Sequence, residues 1–241
     1  MAEIKVTETT VETNDTVQIE RGFWDRFSKP IIYIGSAIIV LIGAWYGYKK
    51  FIVEPKEREA NELVFPAENL FDKMATTGFN KDSVNIVING GMLEGQKITG
   101  VLKVISSFGG TSAGNRAKYM AGAGYLHIKE FDKAIKYLND FDANGASQIQ
   151  SKAYIMLGHA YAEQKKTADA LAAYKKAASV NEKDEFFAGD ALLIAAAYAK
   201  ETGNPKEAIS IYEQVKEKYP SNIAVQNGDV DKNLASLGVL K

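Results

Sequence analysis

The side chains best able to do chemistry in this 241-residue chain are few and poorly spaced for it. His127 and His159 are its only histidines, 32 positions apart. Neither has a pair of carboxylates at helical spacing beside it, so a shared metal site lacks ligands and both read as structural. Glu182, Asp184 and Glu185 form the densest acidic group. A solvated turn between helices explains them better than the paired carboxylates of a hydrolytic cleft. Gly122-x-Gly124 lacks the third glycine and the preceding strand of a dinucleotide loop. The stretch NGDVDKN from Asn227 lacks the glutamate that closes a calcium loop. Cysteine is absent, which excludes disulfides, thiolate zinc, a thiol nucleophile and a lipid-modified cysteine. No cofactor, no metal and no enzymatic activity are expected.

Charge narrows the partners. Lys and Arg number 29 against 30 Asp and Glu, for a net charge of −1. That balance lacks the basic face of a nucleic-acid binder, and no nucleic acid is expected. The 46% hydrophobic content is spread unevenly. Ile31 to Tyr48 reads IIYIGSAIIVLIGAWYGY, eighteen positions without a charge. A helix over residues 31–51 is about 31 Å long, close to the hydrocarbon thickness of a bilayer. Phe23, Trp24 and Phe27 precede the run, and Trp45, Tyr46, Tyr48 and Phe51 close it, as interfacial aromatic belts do. The run is too long for a cleaved signal peptide, and no small-x-small site follows it. A single transmembrane helix over 30–53 is predicted, behind a polar tail over 1–29 expected to be disordered. Within the span Ser36, Gly43 and Gly47 share one stripe, a candidate contact for helix packing, self-association or a translocon. Flanking Lys and Arg count three before the span and four after it, which leaves orientation open.

The C-terminal half repeats itself. Gly122 and Gly158, Tyr125 and Tyr161, Ala134 and Ala170, and Leu138 and Tyr174 are each 36 residues apart. Ala195 and Tyr198 continue the first two series at intervals of 37. One extra residue in the turn ETGNP then brings Ala208 and Tyr212 into place, with Pro220 twelve residues after Ala208. Each unit reads as two antiparallel helices meeting at small residues. Such a pair cannot bury its apolar face alone and must stack on its neighbours.

At these residues the chain resembles the tetratricopeptide repeat family. It departs from the family pattern where a tryptophan would open each repeat: Lys118, Tyr154 and Ala191 stand there. The resemblance implies an all-α fold, a solenoid of about three hairpins over 115–241, with residues 229–237 as a C-terminal cap. Residues 54–114 are expected to supply a linker helix (55–74, bent at Pro66) and a degenerate pair with a second helix over 96–108. The stretch SVNIVINGG is read as a short extended piece. Thr111 or Ser112 is the expected N-cap of the first repeat helix.

In the repeat family the first helices line a concave partner-binding groove. Transferred by register, that groove takes Arg116, Tyr119, Leu126 and His127 from the first unit. Lys152, Ile155, His159 and Glu163 come from the second, and Leu192, Ala196 and Lys200 from the third. The whole arrangement also is similar to the ancillary Sec-translocon subunits of bacteria. That likeness implies a single-pass inner-membrane protein with a periplasmic repeat domain, binding envelope proteins such as the translocon or periplasmic chaperones. A cytosol-facing receptor for targeting peptides is the alternative.

Overall fold

The computed structural model describes residues 12–239, with side chains from Phe27 onward. The chain divides after Pro55 into two compact units.

In the first unit, helix α1 (Glu12–Tyr48) is followed by a π-helical turn (Lys49–Val53). The tail expected to be disordered over 1–29 is therefore helical from Glu12 on, and its residues 1–11 lie outside the described ones. Once the apolar run is helical, each further residue adds a hydrogen bond without a new nucleus, and Pro30 removes only one N–H. Among the described residues one helix is long and apolar enough to cross a membrane, and its apolar window buries nothing against the protein. Ile39, Val40 and Leu41 are 70%, 68% and 69% exposed. Ser36 Oγ donates to the Tyr33 carbonyl at 3.0 Å. A Cβ placed on Gly43 or Gly47 would meet nothing within 4 Å.

Among its described residues the second unit is built of helices and a single two-stranded hairpin. Helix α2 (Glu54–Thr77) runs through Pro66 and buries Ala60, Val64, Ala67, Leu70 and Met74, a stripe at helical spacing. Next come α3 (Lys81–Asn89), strands β1 (Gly90–Leu93) and β2 (Gln96–Thr99), and α4 (Val101–Phe108). The sequence reading of this stretch needs two corrections. SVNIVIN is helix, capped by Asn80 Oδ1 accepting from the Ser83 N–H, with Val84, Val87 and Ile88 buried. Those three follow a 3–4 spacing, which outweighs the alternation of Val84, Ile86 and Ile88. The expected helix over 96–108 begins only at Val101, because residues 96–99 pair antiparallel with β1. Glu94 (φ 50°) and Gly95 (φ 80°) both occupy the left-handed region, as a two-residue hairpin turn demands.

Helices α5 (Ser112–His127) and α6 (Phe131–Asn139) form the first repeat hairpin. The second is α7 (Ser147–Glu163) with α8 (Thr167–Ser179), and the third is α9 (Glu185–Glu201) with α10 (Pro205–Lys218). A short α11 (Ile223–Gln226) and α12 (Asp229–Ser236) end the unit, with Val230 and Leu234 of α12 buried in the core. Thr111 is the N-cap of α5, its Oγ1 accepting from the Gly114 N–H at 3.0 Å.

Small residues let the paired helices approach. A Cβ on Gly122 would lie 2.5 Å from Leu138 Cγ, and one on Gly158 would overlap the Tyr174 ring. Ala134, Ala170, Ala195 and Ala208 are fully buried. Each first helix ends in the same way. Glu130 N–H donates to the Tyr125 carbonyl, Lys166 N–H to that of Tyr161 and Asn204 N–H to that of Ala199, at 2.9, 2.9 and 2.8 Å. The residue before each donor is left-handed: Lys129 (φ 64°), Lys165 (φ 59°) and Gly203 (φ 76°). A lysine in that region is strained where a glycine is not. Lys165→Gly should therefore raise unfolding free energy by about 0.5–1 kcal/mol in a urea titration of the micelle-embedded chain. A loss of stability there would show that Lys165 contributes through its side chain.

Candidate partner-binding surface

The expected groove is not one continuous face, because the chain itself covers its first segment. Helix α2 lies beside α5 and runs the same way. The Glu57 carboxylate accepts from the Ser112 N–H through Oε1 and Oε2, at 2.9 and 3.0 Å, where α5 starts. Such an acid satisfies an orphan donor and complements the helix dipole. Arg116 Nη2 donates to Asn61 Oδ1 at 2.8 Å, and Arg116 Nε meets Glu68 Oε1 at 2.7 Å. Phe71 meets Tyr119 edge-on, with ring centroids 6.5 Å apart.

The loop from α6 to α7 folds over the same part of α5. Asn115 binds it reciprocally, donating through Nδ2 to the Asp142 carbonyl and accepting from the Asp142 N–H. Lys118 Nζ donates to the Asp140 carbonyl at 3.2 Å. Phe141 packs on Tyr119 with centroids 5.3 Å apart. Between α2, α5, this loop and the start of α7 lies an open cleft of about 470 Å³. That is within the usual span of small binding pockets, about 300–1,000 Å³. Its floor is Phe71, Tyr119, Met120, Phe141 and Ile149, and its rim carries Glu68, Asp72, Arg116 and Asp142.

Of the residues expected in the groove, Arg116 and Tyr119 line this cleft and the others do not. His127 stacks on Phe79 with centroids 3.7 Å apart, and Leu126 packs against the first core cluster. Ile155 packs against the second cluster. Leu192 and Ala196 are 4% and 0% exposed, so they are core and not groove. Helix α9 is apolar nearly all round and lies between α8 and α10, so its sequence does not reveal which face is open. Lys200 Nζ donates to Asn233 Oδ1 at 3.1 Å and Ser236 Oγ at 2.8 Å, which ties α9 to α12. Lys152 and Glu163 remain exposed on α7. The lining from α2 and the 141–146 loop was not foreseen. A trace of it stands in the sequence: Glu57, Asn61 and Glu68 form a polar stripe at spacings of four and seven beside the apolar one.

The acidic group near residue 184 serves the fold. Asp184 Oδ1 caps α9 by accepting from the Phe187 N–H, and Glu185 Oε2 accepts from the Ser221 N–H, both at 3.2 Å. Among the described residues no group of three or more His, Asp or Glu side chains is placed to hold a metal ion.

His159 and Tyr174 share a hydrogen bond of 2.9 Å between Nδ1 and the hydroxyl. Burial pushes the Tyr174 hydroxyl up to about 12, helped by Tyr198, Glu163 and Glu201, so it stays protonated at any working pH. Burial also holds the His159 imidazole below its ordinary value, against the opposing pull of Glu163, and burial does the same to His127. A histidine lowered in the folded state binds its proton more readily when unfolded. Stability is then full above about pH 6.5 and is lost as pH falls through the folded values. The thermal midpoint should therefore drop between pH 7.5 and pH 5, and His159→Gln should shrink the drop. An equal drop in the variant would acquit His159.

The two hairpins α7–α8 and α9–α10 coincide with family matches. Residues 151–184 and residues 190–222 each match a tetratricopeptide repeat family. These two hairpins are therefore similar to tetratricopeptide repeats. The α5–α6 hairpin has the corresponding seam, Gly122 against Leu138 where the next has Gly158 against Tyr174, and the same left-handed stop, and it stacks on the matched pair through α6 and α7. No curated protein matches the chain. Tetratricopeptide repeats form a protein-interaction fold, so protein partners are what this solenoid offers surface to.

Proposed function

We propose that this protein is a non-enzymatic, membrane-anchored tetratricopeptide scaffold that gathers partner proteins at the bacterial cell envelope. The observation that carries the reading is an apolar helix buried against nothing of its own, in the same chain as stacked tetratricopeptide hairpins. A core helix of a water-soluble protein hides its apolar side, whereas a helix that stays apolar all round without protein cover is matched to lipid. The resemblance to ancillary Sec-translocon subunits supports a periplasmic position for the hairpins and makes the translocon and periplasmic chaperones the first partners to test.

Two measurements examine it. Photo-crosslinking side chains placed at the exposed Lys152 and Glu163 in living cells are expected to capture envelope or translocon proteins. Failure at both positions would overturn the scaffold reading. For orientation, Asn204→Cys introduces the sole thiol in the chain. A membrane-impermeant maleimide should label it before the inner membrane is breached. Labelling only after breach would reverse the topology and favour a cytosol-facing receptor for targeting peptides.

A further inference from the structure

Resting on that scaffold reading, we infer that the α2–α5 cleft receives a basic amphipathic segment of a partner protein, with aliphatic or aromatic side chains seated between flanking lysines or arginines. The cleft shares Arg116 and Tyr119 with the concave path expected along the first helices, but α2 and the α6–α7 loop, both outside the matched repeats, build two of its walls. Its floor is apolar, and Ile149 within that floor is 39% exposed, so the apolar surface is open to an incoming side chain. The rim decides the sign of what binds. Three carboxylates, Glu68, Asp72 and Asp142, face one cation among the lining residues, and that cation, Arg116, is bound by Glu68 and Asn61 of α2. Neutralising Arg116 against Glu68 leaves two carboxylates on different walls, Asp72 on α2 and Asp142 on the loop. Asp142 Oδ1 takes the Asn144 N–H at 2.8 Å, and Asp142 makes no ion pair with another described residue. Asp72 makes no ion pair with another described residue and is exposed.

An acidic rim around an apolar floor favours cationic flanks and repels anionic ones, chiefly through the rate of encounter and the choice of partner. The cleft is open along one side, so it admits a helical turn or a short extended stretch without a lid. Nothing buried has to be uncovered first.

The full chain in nanodiscs of zwitterionic phospholipid, read against empty nanodiscs, tests this with three labelled amphipathic peptides of equal length. One alternates leucine with lysine on helical spacing, the second replaces lysine by glutamate, and the third replaces leucine by serine. The leucine–lysine peptide is expected to bind roughly tenfold more tightly than either other, and to weaken as salt screens the rim. Asp72→Lys combined with Asp142→Asn, which keeps the Asn144 contact, should close the gap between the lysine and glutamate peptides. Equal binding of those two by the parent chain, no binding at all, or a gap unchanged in the double variant would each overturn the inference. If partners are still captured at Lys152 and Glu163 while the peptides fail, only this cleft is misassigned. If capture fails as well, the scaffold reading falls with it.

Discussion

Tyr174→Ala should lower the free energy of unfolding by about 3–5 kcal/mol, the range for removing a large buried aromatic side chain. Tyr174 is 2% exposed and its ring fills the space over Gly158. It meets Tyr198 and His159 edge-on, each with centroids 5.5 Å apart, and bonds His159 through its hydroxyl. Truncation removes all of these together and leaves a cavity where the second hairpin joins the third. Tyr174→Phe separates the terms: the ring stays, the hydroxyl goes, and the expected loss is about 1 kcal/mol. Urea titration of the full chain in micelles, followed by circular dichroism, measures both. If Tyr174→Ala shifts stability by less than the phenylalanine variant, the seam does not hold the hairpins together.

Gly158→Val should be almost as damaging, about 3 kcal/mol, for the opposite reason. A Cβ at that position overlaps Tyr174 Cε1 and Cδ1 and lies 2.8 Å from Cζ, and the ring has no free end to swing away. The sign makes the test sharp. On an exposed helix, replacing glycine by valine raises helix propensity by a few tenths of a kcal/mol, so a helix without a close partner would gain stability. The double variant Gly158→Val, Tyr174→Ala should lose less than the sum of the two single variants, because the valine occupies part of the cavity. Strict additivity would mean that the two residues do not meet.

Much of the second unit was legible because its signals are redundant. Gly122, Gly158 and Ala195 recur at 36 and 37 residues, and the partner positions Ala134, Ala170 and Ala208 follow them. Several independent registers therefore fix the same hairpins. The region before the repeats carries single, ambiguous signals. Val84, Ile86 and Ile88 fit a strand as well as a helix until Asn80 is recognised as a cap and Val87 as core. Glu94–Gly95 is a two-residue turn of the kind usually marked by Asn-Gly or Asp-Gly, and Ile98 extends the helical spacing of α4 backward by coincidence. Gly100 was the available correction. Its Cα packs on the Asn89–Gly90 backbone with no room for a side chain, which suits a strand-to-helix corner and not a helix interior. The candidate site was harder to foresee than the fold. Register identifies which residues of a first helix face outward, but covering by α2 or α12 is a tertiary event that leaves only a polar stripe in the sequence. Arg116, bound by α2, and Lys200, bound by α12, are the clearest cases.

Those two coverings have a consequence for assembly. An array of like hairpins presents at each end a face shaped to accept another hairpin, and copies adding head to tail through such faces grow into open filaments. Here α2 closes one end with the stripe Ala60, Val64, Ala67, Leu70 and Met74, and α12 closes the other with Val230 and Leu234. On its outer side α12 exposes Lys232, while Asp231 pairs with Lys216 of α10 and Ser236 accepts from Lys200 of α9. Both ends of the stack are thereby covered by helices of the chain itself, which leaves neither end open to a further hairpin of the same kind.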